Sequence, residues 1–318
     1  MVLAALSLGL AAIASAAPRP YPDKVVTLIV PFPPGGVADT LARPLADALR
    51  RELSQTVIVE NRGGAGGALG IGVAARAPAD GYTLLFSLSS FSILPVADQI
   101  LARKPHFQPS QFQPLARITA DPTVLVVRSD APWRTVGEFV ADARRRPGKL
   151  NYGSSGNYGT MHVPMEMFKA AAGFQMTHVP FTGAGPAVTG LLGGQVDAIA
   201  AGTSSVLPYL QAGRLRALAH WGDKPLAALP DVPSLQQRGW EVRFSQWSGV
   251  FVPAGTPEPI QATLREALRK VAASPSLQRT LLQMGSSMAY LDAPAFSSYI
   301  QQDARVVTST VRQMGRLE

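Results

Sequence analysis

The chain has 318 residues, 47% hydrophobic and 16% charged, with a formal net charge of +8 and no cysteine. That length suits two domains of ordinary size, and the composition supplies a large core and excludes a disordered chain. Lack of cysteine excludes disulfides, thiolate catalysis and zinc–thiolate sites, and the one basic run, Arg144-Arg145-Arg146, ends a predicted helix with no interleaved aromatics, which argues against a nucleic-acid partner.

An apolar run at 2–13 leads into Ala14-Ser15-Ala16, a small-x-small site, so residues 1–16 are expected to be a secretory signal cleaved after Ala16. No later apolar stretch approaches the roughly 20 residues of a membrane helix. Val25-Val26-Thr27-Leu28-Ile29-Val30 is an unbroken β-branched and aliphatic run, which reads as a strand buried on both faces. Pro31, Pro33 and Pro34 stop it, Gly35-Gly36 turns tightly, and Val37, Leu41, Leu45 and Leu49 give a helix its apolar face. Bare backbone N–H groups at a helix start suit an anion, though the same geometry also serves as a plain βα turn.

Val57-Ile58-Val59-Glu60-Asn61 is the next strand, followed by glycine-rich 62–68 and a small-residue helix to 77. Gly70-Ile71-Gly72-Val73-Ala74-Ala75 fits the loose dinucleotide pattern but lies inside that helix, with no acid ending a second strand, so no nucleotide site is expected. A strand at 82–87 is followed by a polar loop at 98–113 and a strand at 115–119. Asp121-Pro122 breaks the pattern before it resumes at 123–127, and a first domain crossover is placed there. Thr135-Val136-Gly137-Glu138 is a capping box opening a helix to 146. Strands follow at 150–152, 177–180, 196–201 and 215–220. Pro186 suits a first helical position, and Gly202-Thr203-Ser204-Ser205 caps a helix at 206–212. Prolines at 225–233 lead to 240–246, a second crossover, then a strand at 248–252 and helices to 273 and over 293–312. The expected fold is α/β, with 17–122 and 245–318 in one domain, 123–244 in the other, and a cleft between.

Loops of Gly, Ser and Thr recur between strand and helix at 34–36, 153–157, 182–185 and 202–205. Hydrogen bonds to a charged ligand contribute about 1.5–3 kcal/mol each, so three or four can reach micromolar binding after ordering costs. His106, His162, His178 and His220 lie in no local catalytic pattern and are expected to be structural. His162 and Glu166, four apart on a helix, are too few for a metal site, and none is expected.

Nine segments in order resemble one family. They are Tyr21-Pro22-Asp23-Lys24 running on to Gly35-Gly36 and Asp39, Val59-Glu60-Asn61-Arg62-Gly63-Gly64-Ala65-Gly66-Gly67, Asp80-Gly81-Tyr82-Thr83-Leu84-Leu85, the stretch Pro147-Gly148-Lys149-Leu150-Asn151-Tyr152-Gly153-Ser154-Ser155-Gly156, His178-Val179-Pro180-Phe181, Leu191-Leu192-Gly193-Gly194-Gln195-Val196-Asp197, Gly213-Arg214-Leu215-Arg216-Ala217-Leu218-Ala219, Leu229-Pro230-Asp231-Val232-Pro233 and Pro253-Ala254-Gly255-Thr256-Pro257. Together they resemble the Bug family, the extracytoplasmic solute receptors of tripartite tricarboxylate transporters.

The resemblance implies a type II-like, two-domain periplasmic binding protein that closes on a small organic carboxylate through backbone and hydroxyl groups. It implicates Phe32, Gly35, Gly36 and Asp39 on one side and Ser154, Ser155, Thr160, Gly183, Ala184 and Thr203 on the other. It implies a monomer in the periplasm, membrane permease subunits as partners, no cofactor, no nucleic acid and no catalysis. Thr182 stands where many members carry Lys or Arg, and Ala200-Ala201-Gly202 lacks an acid found near there in many members, which points to a ligand without an ammonium group. Two other readings stay open: a secreted α/β enzyme acting on a small carboxylate, and a receptor reporting to a sensor kinase.

Overall fold

The structure, a computed structural model, describes residues 20–315. The expected signal at 1–16 lies outside them. The first strands and helices are β1 (Val26–Val30), α1 (Val37–Glu52), β2 (Val57–Asn61), α2 (Ala68–Ala75), β3 (Thr83–Leu88), α3 (Ser90–Ile100) and β4 (Phe112–Arg128). Then come α4 (Val136–Arg145), β5 (Asn151–Ser154), α5 (His162–Ala172), β6 (Thr177–Pro180), α6 (Ala184–Leu192), β7 (Ala198–Gly202), α7 (Thr203–Gln211) and β8 (Leu215–His220). The chain closes with β9 (Ser245–Pro253), α8 (Glu258–Ala273), α9 (Pro275–Gln283), β10 (Met288–Asp292) and α10 (Ala293–Met314).

Two lobes share one strand. In the first, β2, β1 and β3 run parallel, β9 joins β3 antiparallel, and β4 lies between β9 and β10. In the second, β6, β5 and β7 run parallel, and the far half of β4 lies between β7 and β8. The expected break at Asp121-Pro122 does not occur: β4 runs unbroken for 17 residues through both lobes. Pro122 pairs with Ser245 at the end of the β9 ladder, and at Thr123 the partner becomes Gly202 of β7. A missing N–H costs least where a strand changes partners.

Other departures have local causes. Helix α3 has Pro95 inside and Ser90 to Leu94 all buried, so it shows no one-sided apolar stripe to read. Helix α6 starts at Ala184, making Pro186 its third residue, and Thr203 to Ser205 form the first turn of α7 rather than a cap before it. Helix α9 and strand β10 are short and were not anticipated. The Thr135–Glu138 capping box forms as expected, with Glu138 N–H donating to Thr135 Oγ1 and Glu138 accepting from Thr135 N–H.

The core around the shared strand is aromatic. Phe91 stacks on Phe251 at 4.2 Å between ring centroids, and Trp247 meets Phe296 edge-on at 5.3 Å. Both fully buried indoles are satisfied: Trp247 donates to Asp303 and Trp221 to the Pro164 carbonyl. The tip of the Phe296 ring lies against Gly249, where an added Cβ would strike it. Gly249→Ala is therefore expected to destabilise by about 1–3 kcal/mol, the usual cost of overpacking, measured as a lower urea midpoint. A midpoint unchanged from wild type would show that α10 does not seat there.

Candidate functional site: the cleft between the lobes

Six βα units send their helix starts to the same side of the two sheets. None of α1, α2, α3, α5, α6 and α7 has a side-chain hydrogen bond capping its first turn. Of the remaining helices, α4 and α10 are capped by Thr135 and Asp292, whereas α8 and α9 also lack a side-chain cap and, like α5 and α6, carry a proline in the first turn, which removes a donor. Among the helices that follow the six parallel strands, the first turn of α5 is closed, because His162 and Val163 N–H bond the Gly159 carbonyl and Pro164 has no N–H. Helix α2 has the N–H groups of Ala68 and Leu69 bonded to Ala65 and Gly64. The open starts are those of α1, α3, α6 and α7.

Glycines let these loops meet. An added Cβ on Gly36 would lie 3.3 Å from Ala184 Cβ, and one on Gly183 only 2.6 Å from Pro33 Cδ. One on Gly156 would lie 3.1 Å from Gly66 N, and one on Gly67 3.0 Å from the edge of the Phe32 ring. At Gly202 it would collide with Gln246 and Val37, although that backbone, at φ −70°, accepts any residue. The glycine at 202 is there for room.

Phe32, Gly36, Ser155, Thr160, Gly183 and Ala184 are thus brought to the seam between lobes, Thr160 Oγ1 accepting from Gln246 Nε2 at 2.6 Å. Asp39 turns inward. It accepts from Gly35 N–H at 3.0 Å and from Arg43, and so holds the glycine turn. Burial alone would raise its pKa, but Arg43, Gly35 and Asn61 together hold it below the usual carboxylate range. Thr203 packs its methyl toward the Gly285 turn. Ser154 also faces inward, accepting from Gly156 N–H and lying 2.6 Å from His178 Nε2.

That Ser154–His178 contact has the spacing of a nucleophile and base. Yet Ser154 is fully buried and already engaged with the Gly156 backbone, and Glu166 is taken up by Tyr152 and Lys169. His178 stacks on His162 at 3.8 Å with planes 8° apart, and His162 Nδ1 accepts from Tyr158 N–H at 3.0 Å. Burial, the other imidazole and Lys169 drive His162 far below its ordinary pKa. Burial and Lys169, opposed by Glu166, hold His178 down at about 4. Both rings are neutral props for the loop at 154–160.

Three further residues reach the seam without having been singled out: Ser89, Ser90 and Gln246. Ser89 Oγ, Ser90 Oγ, Ser155 Oγ and Gln246 Oε1 are buried and have no hydrogen-bond partner among the described residues. The Ser89-Ser90 pair directly after β3 repeats the strand–hydroxyl–helix signature of the other loops. Gln246 carries no local signature, since its position depends on two strands of different lobes meeting. Beside the seam, Arg103, Lys104 and His106 line a cavity of about 310 Å³ that also touches Ala65 and Asn157.

Comparison with known proteins decides the family. The profile of the tripartite tricarboxylate transporter family receptors matches residues 41–316. The chain belongs to that family, the Bug/TctC receptors. Its fold is that of the periplasmic binding protein BugD, at 30% identity and a TM-score of 0.87 over 92% of this chain and 98% of that one. A Rhodopseudomonas palustris protein, Rpa4515, solved with adipate, is 28% identical with a TM-score of 0.87 over 92% and 98% of the two chains. MatC from the same organism, solved with malate, is 28% identical with a TM-score of 0.84 over 92% and 100%. Bug/TctC proteins are solute-binding receptors, which accounts for a cleft rich in donors and poor in reactive groups.

The paired histidines generate a pH prediction. Unfolded, each takes up a proton near pH 6.5, whereas the folded chain refuses it, so their contribution is complete above about pH 6.5 and is lost as pH falls toward 4. Each group can cost up to about 1.4 kcal/mol per pH unit across that window. The fall in urea midpoint between about pH 7.5 and pH 5 should be smaller in His178→Asn than in wild type. An equal fall in both proteins would remove His178 from the account.

Proposed function

We propose that this receptor captures a small organic carboxylate in the periplasm and hands it to the membrane permease subunits of a tripartite tricarboxylate transporter. The observation that carries this reading is the set of open helix starts of α1, α3, α6 and α7 gathered with the orphan hydroxyls of Ser89, Ser90 and Ser155. Free N–H groups, positive dipole ends and hydroxyl donors together fit an anion. A net charge of +8, with Lys104 and an Arg103 paired to Asp98 at one edge, adds attraction at a distance.

The ligand class follows from the charges. Asp39 is consumed by Arg43 and Gly35, so it does not offer a carboxylate to an ammonium group. A mono- or dicarboxylate without an amine fits, in keeping with the adipate and malate named for the two neighbours. The role is binding rather than turnover, because Ser154 and His178 serve the loop. In this reading the lobes are 17–122 with 245–318 and 123–244, and the crossings at 121–123 and 240–247 act as the hinge.

A melting-temperature screen against adipate, malate, succinate, citrate and aromatic acids, with aspartate and glutamate as controls, tests the class. A ligand at 100 times its Kd should raise Tm by roughly 5–11 °C, from about 2.7 kcal/mol of linkage spread over lobes of this size. Shifts with the amino acids alone would contradict it. Gly36→Val puts a branched side chain against Ala184. It should weaken binding at least about a hundredfold while leaving the apo Tm within a few degrees. Unchanged affinity would reduce the first loop to a turn.

A further inference from the structure

Among the buried orphan atoms of the cleft, Gln246 Oε1 differs in kind. Ser89, Ser90 and Ser155 carry hydroxyls that can donate to a carboxylate. A carboxamide oxygen can only accept. Gln246 is 4% exposed and stands on β9 in the second crossing, facing Thr160 and Gly202 of the other lobe. Its amide nitrogen donates to Thr160 Oγ1 at 2.6 Å, which leaves Oε1 as the end without a partner. The glycine at 202 makes room for that oxygen itself, which lies against the place where a Cβ would stand.

A buried acceptor left unpaired is costly, and a carboxylate brought near it is repelled. What satisfies it is a donor on the ligand. An ammonium group would need an anion, and Asp39 is already spoken for by Arg43 and Gly35. A neutral hydroxyl needs none. We infer that Gln246 is a specificity-determining residue that accepts a hydrogen bond from a ligand hydroxyl, so that the preferred ligands are hydroxy-carboxylates rather than plain ones. This rests on the carboxylate reading above and narrows it.

Matched pairs test it: malate against succinate, 2-hydroxyglutarate against glutarate, and citrate against tricarballylate, each titrated calorimetrically into the full mature chain. The hydroxy member of at least one pair should bind about tenfold tighter or more, the scale of one hydrogen bond to a buried acceptor. Gln246→Met keeps the side-chain length but lacks the acceptor, and should bring that ratio to within about threefold while the plain acid's Kd changes little. Because the wild-type ratio needs no variant, poor folding of Gln246→Met leaves the proposal open to refutation. Equal affinity within every pair overturns it while leaving carboxylate binding intact. A preference for the plain acids also overturns it, since an amide turned end for end would offer its N–H₂ to a carboxylate. Failure of all six acids to bind overturns it together with the carboxylate reading.

Discussion

Backbone donors that the protein leaves unpaired are the constraint on which this structure turns. An α-helix start exposes N–H groups that must find a side chain, water or a ligand. The six helices that follow parallel strands all begin without a side-chain cap, and α1, α3, α6 and α7 leave first-turn N–H groups open toward the seam. Elsewhere Thr135 and Asp292 cap α4 and α10. Recognition by dipole ends and hydroxyls needs no fixed cation, which lets one scaffold accept anions of different bodies by changing a few side chains.

Close approach of the lobes follows from the same economy of side chains. Gly66 against Gly156 puts backbone on backbone, and Gly36 and Gly183 give room to the Ala184 methyl and the Pro33 ring. Two long strands control how the lobes meet, because β4 runs through both and β9 pairs with it up to the point where its partners change. Behind the seam, the stacked His162 and His178 and the inward Asp39 hold the loops. The residues that look most chemical are thus supports.

Much of this was legible in the sequence because it rests on local signals. The buried run at 25–30, the capping box at Thr135 and the strand–glycine–helix loops appear within a residue or two of expectation. Asp39 was readable as part of the first loop but not as its internal brace, since its partners Gly35 and Arg43 become visible only with the turn folded. The unbroken course of β4 was hidden by Pro122, whose effect depends on where the ladder changes partner. Helix α3 lacked a polar face to give it a period, and with it Ser89 and Ser90 escaped notice. Gln246 was out of reach, because a contact between residues 160 and 246 has no signature in either segment.

If the gathered donors are completed by a ligand, the lobes should draw together when it binds. Small-angle X-ray scattering of the mature chain, with and without a saturating amount of the carboxylate that stabilises it most, reads this directly. A smaller radius of gyration in the bound state is the expected result, and an unchanged radius at saturation would contradict closure around the ligand.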